Sequence, residues 1–445
     1  MLVDLHNPDP SGAEIKVSQI TEDEPFRDSL EYTCPSRGTW TITHTANLVP
    51  GAHQIYVGAS ACLRGVVLSA AEYEGLDRYS MVMIEERDIL SGDMEELFIE
   101  GISDIIDKLP RRPTAVLGFT GCIHHFLATD VDYIYDTLNE RYPDIDFIRC
   151  YMIPTMQKNE VTPEEFIRSQ IYGGLRPGEQ DPRSVNMIGS NTAITPNSDH
   201  MKLLTDNGYT VRDICKCITY PEYKEMNKGS LNIYSMPVAA YGAADLKKRL
   251  GQDNIYMPYT WNMDEIDEDM NKLARRLGIS IKPGYLEGRR AQAEAALESA
   301  RKKLDGAPVV IDMSSTTCFF SLTRLLLSHG FNVTMIYGDV VMPDDHGALK
   351  WLQENYPDLP LRATKNFKSR FFPRNAATLA GGRLLAIGQK AAYFSGTTHM
   401  VNMIENNGWY GYEAIIRLCG EMEDAMDRED DVKSIIQVKG FGCSA

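Results

Sequence analysis

Short apolar runs rich in β-branched residues alternate with amphipathic stretches along almost the whole chain. Examples are HQIYVGAS (53–60), TAVLGFTG (114–121), IDFIRCYMI (145–153), VNMIGS (185–190), LNIYSM (231–236), APVVIDMSS (307–315) and NVTMIYGD (332–339). Parallel strands need a crossover of a dozen or more residues between them, so this alternation is the pattern of parallel sheets with covering helices. The expected fold class is α/β. At 445 residues the chain exceeds one hydrophobic core. The turn-rich stretch GGLRPGEQDPRS (173–184) breaks the alternation, and the charged helix-forming stretch GRRAQAEAALESARKKLDG (288–306) leads into a further unit. The pattern predicts three similar α/β domains in series: 1–176, 184–290 and 305–445.

A hydrophobic content of 43% suits globular packing. No apolar run reaches the roughly 18 residues that span a bilayer. The start, MLVDLHNPDP, has neither a basic n-region nor an apolar core. A cytoplasmic protein with no membrane partner is expected. The net charge of −17 excludes a general nucleic-acid partner, because neutralising phosphates takes a basic surface. Nine cysteines, odd in number and scattered, do not form a secreted disulfide framework.

Two segments share a design. In IYVGASAC and AVLGFTGC an apolar strand is followed by a cysteine four residues after a glycine, Gly58 to Cys62 and Gly118 to Cys122, at the expected start of a helix. This puts both thiols at the C-terminal rim of one parallel sheet, where α/β proteins hold ligands. A helix start also favours the thiolate, the form that binds metal. Cys34, in YTCPSRGTW, offers a third thiol. Three thiolates supply most of an iron-sulfur cluster, and packing of small residues at a sheet edge is the plainer alternative.

The two histidines after Cys122 fit either a proton donor or hydrogen-bond partner, His124 and His125, or an ordinary helix start. Their side chains point about 100° apart and do not close on one ion with the cysteine. His399, in FSGTTHMVN, is a candidate proton donor near the centre of the molecule. Cys215 and Cys217, in DICKCIT, alternate along an expected strand and so face opposite ways. Asp130 reads as a helix cap.

The order CPSRG, VGASAC, MIEERDILSGDMEELFIEGISDII and VLGFTGCIHHFLATD resembles the first domain of the nitrogenase component 1 superfamily. GSLNIYSMPVAAYGAADLKKRLGQDNIYMPY is similar to its second domain and NGWYGYEAIIRL to its third, so that the resemblance covers roughly residues 30–425. It implies three Rossmann-like domains with mainly parallel sheets around a central cavity. It also implies that Cys34, Cys62 and Cys122 hold a cluster at a subunit interface, either [4Fe-4S] or P-cluster-like. Electrons would arrive from an iron-protein ATPase reductase, and a homologous or identical subunit would complete a dimer or heterotetramer. The chain has no GxxxxGK[ST] loop, so nucleotide hydrolysis would belong to that reductase.

One part of the family pattern is missing. Where the superfamily's nitrogenase α subunit has a cysteine in the second domain, Ser235 and Met236 stand here. Tyr410 stands at the third-domain histidine position, and Cys318, in STTCFF, borders the implied cavity. The expected activity is ATP-dependent reduction of a small molecule or tetrapyrrole. A second metal cofactor or a bound tetrapyrrole stays open, as do a metallocofactor-assembly scaffold and a cofactor-binding protein.

Overall fold

The computed structural model describes residues 9–26, 41–72, 74–153 and 161–436. A short strand, β1 (Glu14–Lys16), opens the chain. The first sheet follows, with β2 (Ala52–Gly58), β3 (Tyr79–Met83), β4 (Ala115–Gly121) and β5 (Asp146–Met152) in the spatial order β3-β2-β4-β5. The second sheet takes β6 (Asp181–Ile188), β7 (Thr210–Asp213), β8 (Gly229–Tyr234) and β9 (Asp253–Tyr256) in the order β7-β6-β8-β9. The third is built from β10 (Pro308–Asp312), β11 (Asn332–Tyr337), β12 (Pro360–Arg362), β13 (Leu385–Ile387) and β14 (His399–Val401), in the order β1-β12-β11-β10-β13-β14.

Every pairing except β1 with β12 is parallel, so the fold is α/β as the alternation predicts. β2 and β4 are buried along their whole length, as central parallel strands covered on both faces must be. β1 does not join the first sheet. It lies antiparallel to β12, Glu14 opposite Arg362, with their side chains joined at 2.9 Å.

Helices form where sequence period and end signals agree. In Met263–Leu277 the buried residues Met263, Ile266, Met270, Leu273 and Ala274 fall on one face. Asn262 caps the helix start, Gly278 ends it at φ +64°, and acidic residues in the first turn and arginines in the last complement the helix dipole.

Two features lock the units together. Arg168, fully buried on the helix Pro163–Gln170, donates to the Gly189 carbonyl (2.8 Å) beyond β6 and to Glu164 (3.0 Å), which also accepts from Thr41 (2.7 Å). Asp199, also fully buried, accepts from Tyr285 Oη (2.7 Å), Arg289 Nε (2.7 Å) and the Glu413 backbone (2.9 Å). Removing one partner from such a buried charge set leaves an uncompensated charge, so each is a strong constraint on domain placement.

The expected strand through DICKCIT is cut short. The Asp213 carboxylate accepts from the Ile194 and Cys215 backbones at 3.0 Å each, and Ile214–Lys216 turns as a 3-10 helix. Both thiols donate to backbone carbonyls, Cys215 Sγ to Ser190 beyond β6 (3.2 Å) and Cys217 Sγ to Asp213 (3.6 Å).

Candidate functional site

In the first sheet the chain crosses outward in opposite directions from β2 and β4, so their C-terminal ends form the topological switch point, the usual ligand position in an open α/β sheet. The two strands are adjacent, with Tyr56 opposite Phe119 and their rings stacked at 4.0 Å. Cys62 is the third residue of the helix Ser60–Glu72 and is exposed. Cys122 is the first residue of the helix Cys122–Phe126 and is half-buried.

The shared design is offset between the two segments. Gly58 ends β2, whereas Gly118 lies inside β4. It stands there because a Cβ would come within 2.7 Å of Tyr135 Oη, which donates to the Gly118 carbonyl at 2.7 Å. Cys34 lies outside the described residues. Among the described residues no three His, Cys, Asp or Glu side chains gather into a metal-holding group. The rim thus supplies two thiols on adjacent strand ends, a donor type suited to iron-sulfur ligation.

The rim is also apolar. Met83 ends β3, Ile89 and Leu90 lie on the helix Glu86–Ser91 that follows, and Phe126 and Leu127 follow Cys122. All five are exposed, Leu90 at 80% and Phe126 at 72%. The Ile84 backbone donates to the Gly58 carbonyl at 3.0 Å, which holds the end of β3 to the same edge.

His124 is buried, and its Nδ1 accepts the Gly121 backbone N–H at 3.1 Å, while the ring meets Phe98 edge-on at 5.7 Å. Burial lowers its pKa to about 4, so the ring is neutral with its proton on Nε2. His125 is exposed beside Phe126. Asp130 caps the helix Val131–Arg141 by accepting from the Tyr133 backbone at 3.0 Å.

His399 differs in place from the expectation. It is the first residue of β14, hence at the opposite rim from the C-terminal strand ends, and its Nδ1 donates to the carbonyls of Ala425 (3.0 Å) and Arg428 (2.8 Å) at the end of the helix Tyr412–Asp427. A short strand pairing, Leu385 with His399, moves it out of the Gly/Thr turn read from the sequence. The structure does not bring it to Cys62 and Cys122, which belong to another sheet.

The residues that meet between the second and third sheets do not fit the second metal cofactor that the resemblance leaves open. Ser235 and Met236 are buried after β8. Tyr410 is buried with its hydroxyl donating to the Met257 and Pro258 carbonyls, the latter at 3.1 Å. Burial holds the Cys318 thiol well above its ordinary pKa, and its Sγ donates to the Tyr259 carbonyl at 3.0 Å, so it is not a thiolate. The space beside Tyr410 amounts to about 10 Å³, room for about one water.

Sequence reasoning missed the groups around that space. His200 is completely buried at 4.1 Å from the Tyr410 ring, and burial lowers its pKa to about 4. Among the described residues its two ring nitrogens and Asn406 Oδ1 have no hydrogen-bond partner. The available signal was the run ENNG. Glu405, Asn406, Asn407 and Gly408 all take positive φ, between +46° and +71°, a conformation costly for a side chain other than Asn.

The sequence profile described as nitrogenase component 1 type oxidoreductase matches residues 41–426. The chain belongs to that family. Two solved structures share the fold. "Nitrogenase Cp1 at pH 6.5" is 15% identical with a TM-score of 0.65, over 92% of this chain and 95% of its own. "Nitrogenase Cp1 at pH 5" is 13% identical with a TM-score of 0.56, over 94% of each. No curated protein matches the sequence. No helix among the described residues is long and apolar enough to cross a membrane.

Proposed function

We propose that this chain is a subunit of a two-component, ATP-dependent reductase in which Cys62 and Cys122, with Cys34, hold an interface iron-sulfur cluster. The observation that carries the reading is the placement of Cys62 and Cys122 on adjacent strand ends at the switch point of the first sheet. When bound, the cluster supplies one-electron relay between an iron-protein ATPase and the reduced substrate. The chain's own residues fix the thiols: β2 and β4 hold their spacing, and the Gly121–His124 hydrogen bond shapes the turn that presents Cys122.

Three thiolates leave one iron without a ligand from this chain, and the exposed apolar rim supports a homologous or identical subunit covering that edge. The closed junction at Tyr410 supports a division of labour in which this chain carries electron entry and the paired subunit supplies any larger metal cofactor. The substrate is then a small organic molecule or a tetrapyrrole.

The test is iron and sulfide analysis with EPR on the anaerobically purified assembly. Wild type should contain a cluster whose reduced signal is oxidised only when iron protein, ATP and substrate are all present, and Cys62→Ala should lose it. Wild-type protein without iron, in the presence of its partner subunit, sinks the reading. A cluster that is never oxidised by any substrate favours a scaffold or binding protein.

A further inference from the structure

The chain is strongly acidic, yet residues 365–374, KNFKSRFFPR, hold four cations and three phenylalanines and no carboxylate. Lys368 is engaged by the Ser11 carbonyl at 2.7 Å and lies 3.9 Å from Asp9. Arg370 and Arg374 are exposed. Among the described residues, rings and no carboxylate lie against their guanidinium groups. Arg370 lies over Phe367 at 5.2 Å and over Phe371 at 5.5 Å, and Arg374 lies over Tyr393 at 4.6 Å. Stacking fixes the guanidinium plane and leaves its N–H edge for a ligand.

The segment is held stiffly. Asn366 accepts from the Lys368 backbone at 2.9 Å, and Ser369 Oγ donates to the Ala363 carbonyl at 2.7 Å. Gly396, at φ +72°, lets the Arg374 carbonyl approach so closely that a Cβ there would lie 2.3 Å from it. Between this segment and the helix Gln389–Ser395 lies a half-open cleft of about 380 Å³, lined among the described residues by Ser369, Arg370, Phe372, Arg374, Tyr393 and Phe394. That size falls in the range of small-molecule pockets, about 300–1,000 Å³.

We propose that this cleft binds a phosphate ester of nucleotide size. Arg370 and Arg374 take the phosphate oxygens through paired N–H bonds, the geometry that suits guanidinium to phosphate. Phe372 and Tyr393, both half-buried, line the remainder and meet the organic part. The site lies on the third domain and takes no part in holding the cluster.

Isothermal titration of the full chain with ADP and with inorganic pyrophosphate at low salt tests this, and it needs no cluster to be present. ADP should bind saturably, and Arg370→Gln with Arg374→Gln should weaken it by roughly tenfold or more. Arg112→Gln, which removes an exposed arginine paired with Asp144 on the first domain, should leave binding unchanged. Tyr393→Leu should weaken ADP more than pyrophosphate. Absence of saturable ADP binding, or binding unaltered in the double variant, overturns the site. Pyrophosphate binding as tight as ADP overturns its nucleotide size.

Discussion

The rim of the first sheet and the junction between the second and third are made of the same parts, strand ends that run into turns and helix starts, and they finish in opposite states. At the rim, Cys62 is exposed, and Leu90 and Phe126, beyond the ends of the neighbouring strands, also leave apolar surface in water. At the junction, Trp409, Tyr259, Tyr410 and His200 fill the space until only about one water's room is left. Leaving large apolar side chains in water gives up their burial energy, so an exposed cluster of them points to a covered interface, whereas aromatic filling points to a site that stays closed.

The largest expected effect separates the thiols of the two regions. Cys122→Ser in the anaerobic assembly should remove the cluster iron, while Cys318→Ser, at the junction, should leave the iron content unchanged. Equal loss in both would erase the contrast. Next is stability. Tyr410→Ala should cost about 3–5 kcal/mol in denaturant unfolding, as truncation of a buried aromatic does. A cost below about 1 kcal/mol would mean that the junction is not packed as described.

The third effect is on pH dependence. His200 has its pKa lowered by burial to about 4, against 6.5 for the ordinary group. The unfolded chain therefore takes up the proton first. Stability from a neutral His200 is fully present above pH 6.5 and is lost as pH falls from 6.5 towards 4. Between pH 7.5 and 5 its contribution should fall by about 2 kcal/mol. His200→Gln should show a shallower decline over that range, and an unchanged slope would contradict a buried neutral ring.

The smallest effect on stability is at the rim. Phe126→Ser and Leu90→Ser should change unfolding of the single chain by less than about 0.5 kcal/mol, while weakening assembly measured by sedimentation. Intact assembly in the double variant would show that the partner does not cover this edge.

Much of the architecture was legible. The runs at 53–60 and 114–121 became β2 and β4, because a strand buried on both faces is written as a continuous apolar run, and the run at 145–153 became β5, a partly buried edge strand. The amphipathic stretches 92–109 and 264–278 became the helices Met94–Lys108 and Met263–Leu277, since a helical period shows over that length. β1, β12 and β14 were not legible. Each has three residues, too few to show a period, and β1 finds its partner 348 positions away, Glu14 to Arg362. The same limit displaced His399, whose strand exists only because Leu385 lies beside it.

The candidate site divides in the same manner. The helix-start positions of Cys62 and Cys122 were legible because strand, glycine and cysteine lie within a few residues of one another. Asp213, whose carboxylate turns the chain before Cys215, acts partly through Ile194, 19 positions away, and was invisible.

By itself the sequence determined the α/β class and the two thiols at helix starts, both of which follow from local period, turn chemistry and nearest-neighbour spacing. Tertiary structure alone decided that the junction around Tyr410 is closed, that His200 sits neutral inside it and that Arg370 and Arg374 border a cleft. Those properties depend on packing and desolvation between segments that only the folded chain brings together.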